Sequence, residues 1–110
     1  MPLLKQSSPY ITRGKLNRML KYFRNKKVEI GYEYNNSLGD PVVRRISAKY
    51  DNFILTDKHS QYGSFYSITF QSKGKDIFYD EFHQGAYFTG VGRIEYCNSG
   101  PYCYFWIKFI

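Results

Sequence analysis

The sequence predicts an α+β domain: an N-terminal amphipathic helix packed on a strongly curved, mainly antiparallel sheet or small β-barrel of roughly six to seven strands. Three observations carry this. Between residues 13 and 27, Leu16, Met19, Leu20 and Phe23 fall at i, i+3, i+4 and i+7, the spacing that places four side chains on one face of a helix. From Val28 the apolar period changes to two, the signature of strands with one buried face. The chain carries twelve Tyr and nine Phe against a single Trp, and rings of this kind suit a pleated, half-buried surface and a small core.

At 110 residues the chain is expected to form one domain, with residues 1–12 as an irregular arm and 13–110 as a helix-plus-barrel unit. Pro2, Ser7, Ser8 and Pro9 discourage regular structure in the arm, while Leu3, Leu4, Tyr10 and Ile11 offer anchors. Thr12 is a suitable cap for a helix over about 14–25. Val28, Ile30, Tyr32 and Tyr34 then alternate with Glu29, Gly31 and Glu33, and residues 35–41 read as a turn. In the next strand Val42, Ile46, Ala48 and Tyr50 share one side. Arg44 falls on that same side, which predicts a bulge or an edge position there.

A short strand is expected over 53–56, a loop over 57–61, and further strands over 65–71 and 77–82. Residues 86–96 and 102–110 read as a final hairpin turning through Asn98-Ser99-Gly100-Pro101, with Gly90 and Gly92 marking a bend. Cys103, Phe105, Ile107 and Phe109 form one face of the last strand, and Tyr102, Tyr104, Trp106 and Lys108 the other. Cys97 and Cys103 flank the turn and are expected to be reduced and partly buried, being too few for a zinc site or a secreted disulfide framework.

The formal charge is +7, and its distribution is one-sided. Lys5, Arg13, Lys15, Arg18, Lys21, Arg24, Lys26 and Lys27 precede the first acid, Glu29. The rest of the chain holds eight bases and nine acids, so the whole excess comes from the first quarter. On the helix these cations oppose the apolar stripe and form a ridge free of acids, where solvated helix faces ordinarily mix signs. Such a ridge fits phosphates, because each one neutralised releases condensed counterion. The expected nucleic-acid contacts are Lys15, Arg18, Lys21, Tyr22, Arg24, Lys26 and Lys27, extended by Arg44 and Arg45. Tyr22, Tyr102, Tyr104 and Trp106 are the rings suited to stacking on unpaired bases. An acidic protein surface is the alternative partner, as for a small inhibitor or accessory factor from a phage or mobile element.

Tyr50-Asp51-Asn52-Phe53-Ile54-Leu55 resembles the aromatic-Asp-x-aromatic segment of the first motif of Sm-like RNA-binding proteins. A helix followed by a bent sheet is also similar to that family, including its bacterial Hfq type. The resemblance spans residues 16–70 and implies assembly into a homo-oligomeric ring and binding of single-stranded RNA. It departs at Arg45, where the motif has Gly, at Ser47, where it has an apolar residue, and at Tyr66-Ser67-Ile68, which lacks the Hfq-type Lys-His pair. SH3-like and PUA-like barrels fit the strand count as well.

Catalysis finds thin support. His59 and His83 are an acid-base pair suited to ribonuclease chemistry only if the fold brings them together. Asp76, Asp80, Glu81 and His83 carry metal-ligating atoms but match no known ligand spacing. The expectation is a non-enzymatic protein without cofactor or metal, regulatory in role. With no apolar run of roughly 20 residues and no secretory leader pattern, it is expected to be cytoplasmic and off the membrane.

Overall fold

The computed structural model describes residues 10–96 and 103–110. The expectations for most of the arm, for Cys97 and its pairing, for the turn over 98–101 and for Tyr102 lie outside the described residues. Helix α1 (Arg13–Phe23) starts where expected, with the Thr12 hydroxyl accepting from the Lys15 amide at 3.1 Å. Leu16, Met19, Leu20 and Phe23 are its buried residues.

The helix stops two residues short of the expected end because Tyr50 takes its place. The Tyr50 phenol donates to the Leu20 carbonyl in the last turn, and the Tyr50 carbonyl accepts from the Asn25 amide at 2.8 Å. Arg24 is already extended and Asn25 is left-handed with φ 65°, a conformation that Asn tolerates better than most residues. Tyr50 itself is fully buried, against Phe70 and Phe53.

Among the described residues eight strands follow: β1 (Val28–Asn35), β2 (Pro41–Ala48), β3 (Asn52–Ser60), β4 (Gly63–Ser72), β5 (Lys75–His83), β6 (Tyr87–Gly90), β7 (Arg93–Glu95) and β8 (Tyr104–Phe109). They form two antiparallel sheets, a five-stranded one in the order β2-β1-β8-β7-β6 and a three-stranded one in the order β3-β4-β5. The β-rich, single-helix class is as expected. The single curved sheet is not: the strands divide between two sheets and no closed barrel forms among the described residues.

Two local expectations also change. Residues 57–60, assigned to a loop, continue β3 and pair with Gly63 to Tyr66. Their side chains are exposed and polar, so no apolar alternation marks them as a strand. The strand expected over 86–96 is two, β6 and β7, which reverse through Val91-Gly92. Gly92 has φ 69°, and its carbonyl accepts from the Ile107 amide at 2.6 Å; a β-carbon there would strike the Ile107 carbonyl.

The core lies between the inner faces. Phe105 stacks on Phe70 with centroids 6.2 Å apart and rings 11° from parallel, and Phe82 lies 5.7 Å from Phe105. Val28, Ile30, Ile94 and Ile107 line the five-stranded side, and Leu55, Ile68 and Phe78 the other. The helix closes this interior. Arg13 reaches β3, where it bonds Asp57 at 2.7 Å and the Leu55 carbonyl at 2.9 Å. Lys15 lies over Phe88 of β6, and Phe23 packs on Phe109 of β8. No helix among the described residues is long and apolar enough to cross a membrane.

One acid interrupts the core. Asp80 shares its side of β5 with Phe78 and Phe82, is 8% exposed, and leaves Oδ2 without a hydrogen-bond partner. Burial pushes its pKa from 3.8 up to about 8, although the Glu81 amide and Tyr96 favour the charged form. Folding therefore takes up a proton between these values, so stability falls as pH rises from about 4 to about 8 and is level above that. Asp80→Asn should remove most of this slope. Thermal melts across that range are expected to superimpose for parent and variant at the acid end and to separate by on the order of 5 °C or more, variant above parent, at the alkaline end. Parallel curves would show that Asp80 does not carry the proton.

Candidate functional site

Two surfaces carry the charge. On α1, Arg18 and Lys21 project from the side opposite the buried stripe and are exposed, as are Tyr22 and, beyond the helix, Arg24, Lys26 and Lys27. The ion pairs among the described residues are Arg13–Asp57, Lys58–Glu81 and Lys108–Glu29. None involves the ridge from Lys15 to Lys27. Its charge is thus left for solvent or a ligand to neutralise.

The ridge is partly pre-ordered. Lys15 is half-buried with its ammonium 5.7 Å from the Phe88 centroid, so it faces the strands more than the solvent. Lys26 folds back, donating to the Tyr22 carbonyl at 2.8 Å and lying 5.6 Å from the Tyr22 ring. Tyr22 is 56% exposed, with ring contacts to Phe23 and Phe109. Arg24 stands near enough to Tyr50 for its charge to offset part of the rise that burial gives the Tyr50 phenol.

The second surface is the outer face of the five-stranded sheet. Register places Arg45, Gly31, Trp106 and Arg93 in one row across β2, β1, β8 and β7. The next row holds Ser47, Glu29 and Lys108, and on the other side lies Val43, Glu33, Tyr104 and Glu95. Trp106 lies over Gly31: a β-carbon at Gly31 would fall against indole atoms Cζ2, Cε2 and Cη2. Only glycine lets the ring lie down there. The indole N–H donates to Glu29 Oε2 at 2.7 Å, and Lys108 Nζ stands 3.7 Å from the same oxygen. Arg93 lies over Tyr104, with its Cζ 4.1 Å from the ring centroid. A groove of about 990 Å³ opens on this face, lined by Trp106, Arg45, Arg93, Lys108, Glu29 and Glu33 among others.

Arg44 and Arg45 take opposite faces of β2, although both border the groove. Arg45 faces outward into the groove row, whereas Arg44 has its Cζ 4.7 Å from the Phe78 ring of the opposite sheet. The β1–β2 register is unbroken and β2 ends the sheet, so the out-of-pattern arginine marks an edge and not a bulge. The helix exit leads toward the groove face: Lys27 accepts from the Ile110 amide at 3.3 Å, and Glu29, two residues on, pairs with Lys108.

Trp106 and Tyr104 were legible as outward rings from the alternation of the last strand. The same alternation placed Lys108 beside them and Glu29 and Glu33 on the outer face of the first strand, but that these residues and Arg93 share one surface was not legible, since nothing local indicates that β8 pairs with β1. His59 and His83 pair with Ser64 and Phe65, successive residues of β4, and so belong to opposite faces of their sheet. His59 Nδ1 instead meets the Ser64 hydroxyl at 2.8 Å. Asp80 points inward while Glu81 bonds Lys58 at 2.8 Å and Tyr79 at 2.6 Å, so these acids do not converge on a shared ligand position. Those bonds hold the Glu81 pKa below its usual value. Comparison with family models, with curated proteins and with solved structures finds no match to this chain.

Trp106 is the single tryptophan of the chain, so its emission reports on this face alone. Gly31→Ala should lift the indole and break its bond to Glu29, at a cost of roughly 1–3 kcal/mol in stability. A red shift of the emission and a lower midpoint in urea are expected. Emission identical to the parent would show that the ring does not depend on Gly31.

Proposed function

We propose that the protein binds single-stranded nucleic acid, RNA or single-stranded DNA, and acts by binding and not by catalysis. The observation that carries this reading is the cationic ridge without a carboxylate partner among the described residues, from Lys15 through Arg18, Lys21 and Arg24 to Lys26 and Lys27. Phosphates would take the place of the missing acids, with release of counterion as the driving force. Lys15 serves less directly than the others, because its ammonium is held over Phe88.

The outer sheet face adds a reason to prefer single strands. Trp106 lies over Gly31 in a row that runs from Arg45 to Arg93, and the Arg93 guanidinium covers the neighbouring ring of Tyr104. Base stacking on such a ring contributes roughly 1–3 kcal/mol and requires a base freed from a duplex. Arg45 belongs to this part of the interface, and Arg44 to its margin. The Sm-like resemblance of residues 16–70 points the same way, since it too implies single-stranded RNA as the ligand.

The test is a titration of labelled single-stranded RNA and DNA, followed by fluorescence anisotropy at rising salt. Affinity should fall steeply with salt, with a logarithmic slope of about −0.7 per phosphate neutralised. Replacing Arg18, Lys21 and Arg24 together by Glu should weaken binding at least roughly ten-fold at low salt and flatten the slope by about 2, with the circular dichroism unchanged. No binding at low salt overturns the proposal and leaves an acidic protein as the partner of the ridge.

A further inference from the structure

We infer that the groove over Gly31 is a guanine site: a base stacked on Trp106 with its N1–H and N2–H2 donated to the Glu33 carboxylate, and its flanking phosphates met by Arg45 and Arg93. This rests on the reading of the protein as a single-strand binder and names the base it selects.

The two carboxylates on β1 differ in what they already do. Glu29 is committed, accepting from the Trp106 indole at 2.7 Å and standing 3.7 Å from Lys108 Nζ. Its role is to hold the ring down. Glu33 lines the same groove and has neither a hydrogen bond nor an ion pair among the described residues. It shares the outer side of β1 with Gly31, two residues away, so its backbone position lies roughly 7 Å along the strand from the one that the indole covers. That is about the distance from the middle of a purine laid on the indole to an acceptor beyond its edge.

An ionised carboxylate only accepts hydrogen bonds. Guanine presents two adjacent donors on its Watson–Crick edge, which match the two carboxylate oxygens. Adenine offers there one donor beside a lone pair, cytosine one donor beside an acceptor, and uracil one donor between two carbonyls. Each of these turns at least one acceptor toward the carboxylate. The backbone register puts Arg45 on β2 and Arg93 on β7 at either side of Trp106, with the Arg93 guanidinium resting on Tyr104 beside Glu33, and a strand crossing the sheet would bring its phosphates past both. Bidentate recognition of one base typically separates it from the others by about 10-fold or more.

The pentanucleotides UUGUU, UUAUU, UUCUU and UUUUU, with GMP and AMP alongside, test this. Trp106 emission reports occupancy of the groove, and anisotropy of end-labelled pentamers reports binding anywhere. UUGUU is expected to quench Trp106 and to bind about 10-fold tighter than the other three. In Glu33→Gln that advantage should fall to about 2-fold or less while the affinity for UUUUU is retained. Pentamers that bind without changing Trp106 emission, or with a guanine preference that survives Glu33→Gln, overturn the guanine site and leave the single-strand reading standing. GMP quenching without pentamer binding does the reverse. Neither pentamer binding nor GMP quenching removes both.

Discussion

The corner residue Tyr50 holds the architecture together. Its ring is enclosed by Phe53 and Phe70, its phenol is bonded to the last helical turn at Leu20, and its carbonyl receives the Asn25 amide. It also lies between β2 and β3, where the chain leaves one sheet for the other. One side chain therefore fixes the end of the helix against the seam of both sheets. A buried phenol must find an acceptor, and an exhausted helix end must find donors for its carbonyls, so the two needs are met together. The direction of the cationic ridge follows from this contact, because it decides which side of the helix is left facing outward.

The parts of the fold legible in the sequence are those set by local burial. The stripe of Leu16, Met19, Leu20 and Phe23 is buried as its spacing requires, and Val28 with Ile30, Ile68 with Phe70, and Phe105 with Ile107 lie inward as alternation requires. What was not legible depends on partners far away in the chain. β1 pairs with β8, so Gly31 and Trp106 meet although most of the sequence separates them. The second half of β3 has no buried residue to announce it. Arg44 broke the alternation visibly, yet only the pairing shows that it sits on an outer strand above Phe78.

The candidate site divides along the same line. The ridge is contiguous in sequence and could be named residue by residue, except that Lys15 is drawn onto Phe88. The groove is assembled from four strands, and its members acquire meaning only side by side. Glycine at position 31 has no local reason beyond strand irregularity, and its cause is the indole that lies across it. The interior follows one rule, rings against aliphatics, with Asp80 and Ser67 as the buried polar residues among those described.

Among the described residues no strand pairs with the outer edge of β2, a stretch that opens with Pro41 and carries Arg44 over Phe78 on one face and Arg45 on the other. Two copies joining along this rim would bring their outward Arg45 side chains onto one shared edge, a like-charge contact that works against edge-to-edge pairing. The same rim is far less hostile to an extended segment rich in carboxylates. What discourages self-stacking into fibres thus also biases the rim toward strands of the opposite charge.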